Sequence, residues 1–222
     1  EDSVSFKEKV NSNVEKPIDV AIIDLPRISN FTDFDAFDIE DDVSVRIVRH
    51  VGELGSPDCL ILPGSKGTVS DLDYIKKNGL AEAILYLATT KSCKIVGICG
   101  GFQMLGQTIL DPLNVESSTV ETEGLGLVDV TTEMATNKTL RQVKLPDNIE
   151  GYEIHHGKTS VGNGDVYISS GDNILGVRNG HIEGTYLHGI FDNDLYRLNF
   201  LNDLRTKKGL ATKSMPTVYN LE

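Results

Sequence analysis

The sequence has no long apolar run and little cysteine, and both absences exclude classes of protein. No run reaches the roughly 18–20 apolar residues that a membrane-spanning helix requires, and the polar first seventeen residues do not resemble a secretion signal. The three cysteines, Cys59, Cys93 and Cys99, are an odd number without zinc-type spacing. This usage fits a reducing cytosol better than a secreted disulfide framework. We therefore expect a cytoplasmic protein without a bound metal.

A shortage of basic residues excludes further partners. The chain carries 33 acidic against 21 basic residues, a formal net charge of −12. Such a surface repels phosphate backbones and anionic lipid, so we expect no nucleic acid and no membrane partner. The sequence also lacks a G-x-x-x-x-G-K-[ST] loop, because the lysine and threonine of residues 64–68 (GSKGT) are out of register for holding a nucleotide. No cofactor is therefore expected on this chain.

The length and the pattern of the chain suggest one folded domain with extensions. A chain of 222 residues suits a single α/β domain. Residues 1–17 show no apolar period and are interpreted as a linker from a longer protein, residues 18–210 as the domain, and residues 211–222 as a tail. Whether the final Leu221-Glu222 is native stays open.

Apolar runs and helical spacing alternate along the first half of the chain. The predicted strands are residues 19–24, 43–48, 59–62 and 94–98, and the predicted helices are residues 69–77, 80–89, 101–109 and 194–207. From about residue 125 to 186 the pattern changes to short strands separated by turn residues. These patterns predict an α/β fold, a flavodoxin-like three-layer domain with a mostly parallel central sheet and extra antiparallel strands in the C-terminal half.

The pentapeptide at residues 97–101 (GICGG) carries the pattern of a nucleophile. It is a G-x-C-x-G, the cysteine version of the sharp turn that joins a buried strand to a helix, and its small flanking residues let a substrate approach closely. The positive end of the following helix favours the thiolate form of Cys99, and the N–H of Gly100 can donate to an oxyanion. The structural alternative is a buried cysteine before a glycine-rich turn. Cys59 and Cys93 lack these flanks and are interpreted as inert thiols.

A cysteine nucleophile needs a base, and His188 is the best placed of the five histidines. It lies in residues 184–191 (GTYLHGIF), at the end of a predicted strand, where α/β folds place catalytic groups. His155 and His156 end another predicted strand beside Gly157 and could line the same cleft. The histidine assignment depends on this constellation, because any of these residues alone is more often structural.

Several stretches resemble a known family. Residues 97–106 (GICGGFQMLG) resemble the nucleophile motif of class I glutamine amidotransferases, and residues 62–65 (LPGS) resemble their oxyanion loop. Three further stretches resemble the cobyric acid synthase family: residues 25–35 (LPRISNFTDFD), 151–155 (GYEIH) and 184–191. The similarity runs from about residue 19 to 209. The stretch at residues 25–35 separates this family from the related cobyrinic acid a,c-diamide synthases.

The resemblance implies a glutaminase reaction. Cys99 would attack the side-chain amide of L-glutamine, and His188 would take the thiol proton and then protonate the leaving ammonia. The N–H of Gly100 and an N–H near Gly64 or Ser65 would hold the oxyanion. Water would then hydrolyse the thioester to glutamate.

The resemblance also implies substrate contacts and partners. Gln103 would contact the glutamine, and Ile154, His155, His156 and Gly157 would line its amino-acid end; for Gln103, a solvated helix residue is the alternative. An N-terminal ATP-binding synthetase domain of the same protein would bind ATP and Mg²⁺. That domain would use the ammonia to amidate adenosyl-cobyrinic acid a,c-diamide, so the corrinoid would reach this chain only through it.

One position departs from the class I pattern. Most class I amidotransferases place a glutamate two residues after the histidine, and Ile190 stands there. An alkyl side chain cannot orient an imidazole, so we expect Ile190 to pack in the core. The group that orients His188 stays open between Glu153, Asp192 and a backbone carbonyl.

Three alternatives remain at the level of the sequence. The chain could serve a related synthetase that amidates cobyrinic acid or a cell-wall precursor. It could be another cysteine hydrolase on a flavodoxin-like fold. It could also be a catalytically degenerate scaffold domain, although the presence of both Cys99 and His188 argues against decay.

Overall fold

Strands and helices alternate along the chain in the computed structural model, which describes residues 16–90 and 93–220. The strands are β1 (Ile18–Ile23), β2 (Ile28–Ser29), β3 (Val43–Val48), β4 (Cys59–Leu62), β5 (Gly64–Ser65), β6 (Lys94–Ile98), β7 (Thr108–Leu110), β8 (Glu121–Glu123), β9 (Val130–Lys144), β10 (Glu150–Val161), β11 (Asp165–Ser170), β12 (Asn173–Asn179) and β13 (Ile182–Thr185). The α-helices are α1 (Val51–Leu54), α2 (Thr68–Lys77), α3 (Leu80–Thr90), α4 (Gly100–Leu105) and α5 (Asp194–Lys207). Short 3-10 helices span Phe31–Phe37, Pro146–Asn148 and Ile190–Asp192.

The central sheet has seven strands in the order β11-β12-β13-β6-β4-β1-β3. The strands from β13 to β3 pair in parallel, and β12 and β11 extend the sheet by antiparallel pairing. The interior strands β4 and β6 are buried along their whole length, which is why they are continuous apolar runs in the sequence. The predicted α/β fold with a mostly parallel sheet and antiparallel strands in the C-terminal half is confirmed.

Helices cover both faces of this sheet and make three layers. Successive side chains of a strand point to opposite faces. In β4, Leu60 and Leu62 therefore join a core with α2, α3 and α4, while Cys59 and Ile61 join a second core with α5 and the 3-10 helix Phe31–Phe37. The carboxyl ends of the parallel strands open at one edge of the sheet, between these two layers.

Two predicted regions are wrong in detail. The predicted helix at residues 101–109 ends at Leu105, because Gly106 is extended (φ −67°, ψ 179°), and residues 108–110 form β7. The predicted short strands of residues 125–186 include a long hairpin, since β9 has 15 residues and β10 has 12. This hairpin belongs to a separate sheet of order β10-β9-β7-β8. No glycine or proline interrupts β9, so the strand continues through Asn137.

The predicted domain boundaries near the two ends of the chain stay predictions. Most of the interpreted linker, residues 1–17, and Leu221-Glu222 lie outside the described residues. Residues 211–220 contain no helix or strand, and they are fastened to α5 by hydrogen bonds from Arg197 to the carbonyl of Thr217 (2.6 Å) and from Asn202 to that of Lys213 (2.8 Å). None of the described helices combines the length and the apolar character needed to cross a membrane.

Candidate active site

Cys99 occupies a strained turn between β6 and α4. Its φ of 52° and ψ of −106° are unusual for a residue with a side chain, and such a backbone persists only where its surroundings enforce it. The neighbouring glycines allow the helix to approach the sheet. A Cβ on Gly101 would lie 2.0 Å from the carbonyl oxygen of Leu62, and one on Gly97 would lie 2.7 Å from Gly101. The G-x-C-x-G spacing therefore presents the thiol at the carboxyl edge of the sheet.

His188 follows β13, the strand that lies beside β6 in the parallel sheet. Its N–H donates to the carbonyl of Tyr152 at 2.9 Å, and the N–H of Tyr152 donates back to the carbonyl of His188 at 3.2 Å. The Tyr152 ring also stacks on the imidazole, with ring centroids 5.1 Å apart. The His188 side chain is 0% exposed. Backbone pairing and ring stacking together fix the position of the imidazole.

Cys99 and His188 follow adjacent parallel strands, and the Cys99 side chain lies close enough to His188 to contribute to the pKa of the imidazole. The Sγ of Cys99 also lies 3.4 Å from the carbonyl oxygen of Ile154 in β10. Burial alone would lower the pKa of His188, but hydrogen bonds and charges from Asp33 and Cys99 outweigh it and raise the pKa to about 10. The imidazole is therefore protonated at neutral pH, the state that stabilises a neighbouring thiolate.

The carboxylate of Asp33 contacts Nδ1 of the His188 ring. Asp33 Oδ2 lies 2.7 Å from Nδ1 of His188, and Oδ1 accepts a hydrogen bond from the N–H of Gly189 at 2.9 Å. The amide nitrogen of Asn30 lies 3.0 Å from Nδ1 and 3.1 Å from Nε2 of His188. Sequence reasoning missed Asp33, which precedes His188 by 155 residues. Its position inside the stretch at residues 25–35 was the signal that could have indicated it.

Neither of the two carboxylates considered from the sequence as partners of His188 is hydrogen-bonded to its ring in the described structure, and this corrects that expectation. Glu153 lies 3.1 Å from Nε2 of His155 and forms an ion pair with Arg141. Asp192 Oδ1 is buried without a hydrogen-bond partner in the described structure. Burial, followed by the negative charge of Asp33, raises the pKa of Asp192 to about 6. Asp192 is thus near the site but is not hydrogen-bonded to the ring.

A cavity of about 200 Å³ opens beside the thiol of Cys99. It is lined by Ser29, Asn30, Ser65, Lys66, Thr68, Gln103, Glu116, Lys138, Ile154, His155 and His156. Four of the five residues predicted to bind glutamine are among these. The fifth, Gly157, sits at an irregularity in the β9–β10 pairing with a φ of 103° and lines a neighbouring cavity instead. The size suits a ligand smaller than the drug-sized molecules that fill pockets of 300–1,000 Å³.

Gln103 is held rigidly in the wall of this cavity. It is 3% exposed, which excludes the solvated-helix alternative. Its Oε1 accepts from the hydroxyl of Thr68 at 3.1 Å, and its Nε2 donates to the carbonyl of His156 at 2.9 Å and to Tyr186 Oη at 3.1 Å. Gln103 therefore ties α4 to the β10 segment that lies over the thiol. The ring of His155 stacks on Tyr186 at 3.8 Å and completes this wall.

The three residues predicted to form the oxyanion site lie around Cys99 and His188. Gly64 and Ser65 form the short strand β5, paired with β2. A Cβ on Gly64 would lie 3.3 Å from Cε1 of His188, and one on Gly100 would lie 3.0 Å from the backbone nitrogen of Ser65. This close approach brings the backbone of β5 and the first residue of α4 to one side of the thiol.

Three charged residues of the cavity were missed by sequence reasoning: Lys66, Glu116 and Lys138. Burial raises the pKa of Glu116, whose carboxylate accepts a hydrogen bond from the N–H of Val69 at 3.4 Å. Among residues 16–90 and 93–220, no cationic side chain forms an ion pair with Glu116. These residues come from three separate segments of the chain, so no local spacing in the sequence indicated that they share a cavity. The same part of the chain holds no cluster of three or more His, Cys, Asp or Glu side chains suited to a metal ion.

Comparison with known proteins identifies the family. A family model described as the CobB/CobQ-like glutamine amidotransferase domain matches residues 19–196. The chain belongs to this family. Three curated relatives are similar to this chain in sequence. The chain spans less than half the length of each. Cobyric acid synthase of Limosilactobacillus reuteri is 45% identical over 95% of this chain and 45% of its own length. The Listeria welshimeri cobyric acid synthase is 43% identical, over 94% and 43%.

A third relative and two solved structures extend the comparison. The adenosylcobalamin biosynthesis bifunctional protein CobDQ of Leptospira interrogans is 46% identical over 100% of this chain and 27% of its own length. A solved glutamine amidotransferase has a TM-score of 0.63 at 16% identity, covering 86% of this chain and 99% of that one. PurLQS from Thermotoga maritima has a TM-score of 0.60 at 17% identity, covering 83% and 99%. At these identities the structural likeness shows the fold of the amidotransferase domain and nothing more.

Proposed function

We propose that this domain hydrolyses L-glutamine through a thioester on Cys99 and serves as the ammonia-producing part of a cobyric acid synthase. The observation that carries the proposal is the placement of Cys99 and the buried His188 together at the carboxyl ends of adjacent parallel strands. Family membership supports glutamine as the substrate, and cobyric acid synthases among the relatives favour this synthetase over one for a cell-wall precursor.

The proposed reaction proceeds in two steps. The Cys99 thiolate attacks the side-chain carbonyl carbon of glutamine, and the N–H groups near Gly100 and Ser65 stabilise the oxyanion. The His188 imidazolium protonates the amide nitrogen as the C–N bond breaks, so that ammonia leaves and a thioester remains. His188, now neutral, accepts a proton from water as that water attacks the thioester. Glutamate leaves, and the thiolate and imidazolium are restored.

The charges in the cavity support an α-amino acid as the ligand. Lys66 and Lys138 offer cations for the α-carboxylate, and Glu116, which forms no ion pair with the described residues, offers an anion for the α-ammonium group. Gln103, Ile154, His155 and His156 form the remaining wall. A small cavity with the thiol and groups of both charges suits the zwitterion of free glutamine better than a glutaminyl side chain within a protein.

The partners follow from the same proposal. A synthetase domain of the same protein would bind ATP and Mg²⁺ and amidate the corrinoid, which would not bind to this acidic domain because its net charge of −12 repels a polyanion. We also place the protein in the cytoplasm, because its three cysteines are free thiols that a reducing compartment would preserve.

The experiment compares two nitrogen sources for amide formation by the full-length enzyme. Cys99→Ser should abolish amidation with glutamine and leave amidation with ammonium chloride intact, since the ammonia-using half is untouched. Cys93→Ala serves as the control, because Cys93 is buried away from the site, and it should retain both activities. Glutamine-dependent amidation by Cys99→Ser would refute the nucleophile, and loss of both activities in that variant would make Cys99 structural. A wild-type enzyme that uses only ammonia would establish the scaffold alternative.

A further inference from the structure

The ring of His188 requires an acceptor for its Nδ1 proton, and the position that supplies one in most class I amidotransferases cannot do so here. Ile190 is 1% exposed and packs in the core, as expected from the sequence. We propose that Asp33, which precedes His188 by 155 residues in the sequence, is the positioning residue that holds His188 in the orientation that Cys99 requires. This inference rests on the glutaminase mechanism proposed above.

The carboxylate of Asp33 contacts both the ring of His188 and the backbone of the loop that follows it. One carboxylate oxygen lies 2.7 Å from Nδ1 of His188 and the other accepts the N–H of Gly189 at 2.9 Å. The side chains are 2% and 0% exposed, so water does not compete for either bond. A carboxylate that accepts from both groups fixes the loop and also requires the ring proton to be on Nδ1 when the imidazole is neutral.

A rigid segment places Asp33 at this point. The left-handed Asn30 (φ 54°) turns the chain after β2, and the N–H of Asp33 donates to the carbonyl of Asn30 at 3.1 Å. The 3-10 helix Phe31–Phe37 is then anchored by the ring of Phe37, whose centroid lies 4.6 Å from that of Phe191. Phe191 belongs to the 3-10 helix that follows His188. The two short helices thus pack together and align the acid with the base.

The other groups around the imidazole do not share this role. Cys99 is the reacting group, and Tyr152 stacks on the ring, with burial raising its pKa to about 12, so it stays neutral. Asp192 lies close enough to feel the charge of Asp33 and has no hydrogen bond to the ring. Asp192 is therefore a matched control: it is an acid of the same size, in the same neighbourhood, without the contact.

The first measurement is glutamate release by the full-length enzyme across pH. In Asp33→Asn the ring loses its anionic acceptor, so we expect kcat to fall roughly 10²–10⁴-fold, the range typical of general acid–base catalysis, with KM for glutamine within threefold. The imidazolium also loses a stabilising charge, so the alkaline limb of the kcat profile should move to lower pH. Asp192→Asn should stay within threefold of wild type with an unchanged profile. An Asp33→Asn enzyme within threefold of wild type, or an equal loss in Asp192→Asn, would overturn the inference.

Chemical rescue separates positioning from folding. Asp33→Ala leaves room for a small carboxylate beside the imidazole, so added formate should raise its kcat saturably and should not raise that of wild type or of Asp192→Ala. Activity that stays lost at all formate concentrations, in an enzyme with an unaltered melting temperature, would contradict the assigned role. If Asp33→Ala does not fold, Asp33→Glu replaces it and should retain more activity than Asp33→Asn.

An activity-independent measurement distinguishes this inference from the glutaminase proposal. The pKa of His188 is raised, so its ion pair stabilises the fold at neutral pH and the stability is lost as pH rises through about 10. The fall in melting temperature between pH 7 and 10 should therefore shrink in Asp33→Asn and not in Asp192→Asn. A wild type without glutaminase activity would refute the proposed function, whereas an unchanged fall in Asp33→Asn would refute only the role of Asp33.

Discussion

Two buried ionic clusters lie back to back in this domain, one on each side of the segment that follows His188. The cluster at the proposed active site pairs a single acid, Asp33, with a single base, His188. Behind it, Glu40 is paired with Arg197 (3.1 Å), Arg205 (3.6 Å) and Lys213 (3.3 Å). The first cluster is a single acid–base pair, while in the second one carboxylate pairs with three basic side chains.

The second cluster supports the first through one backbone group. Arg197 donates to the carbonyl of Phe191 at 2.6 Å, and the ring of Phe191 packs on Phe37, beside Asp33. Arg205 adds two 2.8 Å hydrogen bonds to the carboxylate of Asp42. Bidentate pairs of this kind fix geometry, because arginine and carboxylate match as planar forks. The comparison teaches that ion pairs with several partners hold the scaffold, whereas the proposed active site keeps a single acid–base pair.

The three thiols provide the sharpest test of this difference, and the largest expected effect. Burial raises the pKa of Cys93 to about 12 and raises that of Cys59 well above its usual value. Cys99 contacts the protonated His188 instead. A glutamine analogue with a diazo-ketone group should label Cys99 essentially completely and leave Cys59 and Cys93 unlabelled, as read by peptide mass mapping.

Excess L-glutamine is the control for this labelling, because it should protect Cys99 by occupying the cavity. Preferential labelling of Cys93 or Cys59 would contradict the assignment of the nucleophile. Labelling of Cys99 without protection would place the reagent outside the glutamine cavity.

The parallel half of the fold and the tight turn that presents Cys99 were predictable because their signals are local. β3, β4 and β6 have the predicted bounds. The interior strands β4 and β6 are buried along their whole length, as interior strands of a parallel sheet are, whereas β3 is an edge strand and is only partly buried. The G-x-C-x-G pattern indicated Cys99 for a similar reason, because the tight turn needs its small residues within a few positions. The strand-end position of His188 likewise follows from rules that act along a short segment.

The acid partner and the hairpin were not predictable because their causes are distant in the sequence. Asp33 meets His188 across 155 residues, through the packing of two 3-10 helices that no periodicity announces. Glu153 of β10 was considered from the sequence as a partner of His188, yet its side chain contacts His155 and pairs with Arg141 of β9. Cross-strand pairing of the hairpin decided that contact. Glu116 reaches the cavity from a loop without regular structure, where patterning carries no information.

The next prediction tests whether the second cluster is purely structural. Removing the carboxylate in Glu40→Ala leaves the buried Arg197 and Arg205 without their shared partner, and breaking a buried pair costs about 3–5 kcal/mol of unfolding free energy. Urea denaturation of the protein should show this loss, while kcat per folded molecule stays within twofold. Asp41→Ala is the control, since the Asp41 side chain is 84% exposed and pairs with Lys213 at the surface. Such exposed pairs contribute about 0–1 kcal/mol, so the loss in Asp41→Ala should be far smaller than that in Glu40→Ala. A Glu40→Ala enzyme of normal stability and reduced kcat would reverse the roles of the two clusters.

A smaller effect is expected at Glu116. Glu40 forms ion pairs with three basic side chains, whereas Glu116 forms none within the part of the chain that the structure describes. If it binds the α-ammonium of glutamine, Glu116→Gln should lower kcat/KM for glutamine by roughly 10–100-fold, the worth of a hydrogen bond between charged groups. Glutaramate, which is glutamine without its α-amino group, should be hydrolysed equally by both enzymes. Glu121→Gln, an exposed acid in β8, is the matched control and should behave as wild type. A parallel loss on both substrates in Glu116→Gln would show a general disturbance of the cavity.

The smallest expected effect separates the two clusters by pH. Hydrogen bonding to Arg205, which outweighs burial, lowers the pKa of Asp42 to about 2 from an ordinary value of 3.8. A group with a depressed pKa stabilises the fold above its unfolded pKa, and that contribution is lost as pH falls through the folded pKa. The contribution of Asp42 should therefore be complete above about pH 4 and decline towards pH 2, the opposite end of the scale from the His188 pair.

Thermal melts from pH 2 to 6 should show a shallower acid decline in Asp42→Asn than in wild type, and the alkaline decline between pH 7 and 10 should be the same in both. An acid decline unchanged by Asp42→Asn would assign the acid sensitivity to other carboxylates, and a changed alkaline decline would mean that the two clusters are coupled through Phe191 rather than merely adjacent.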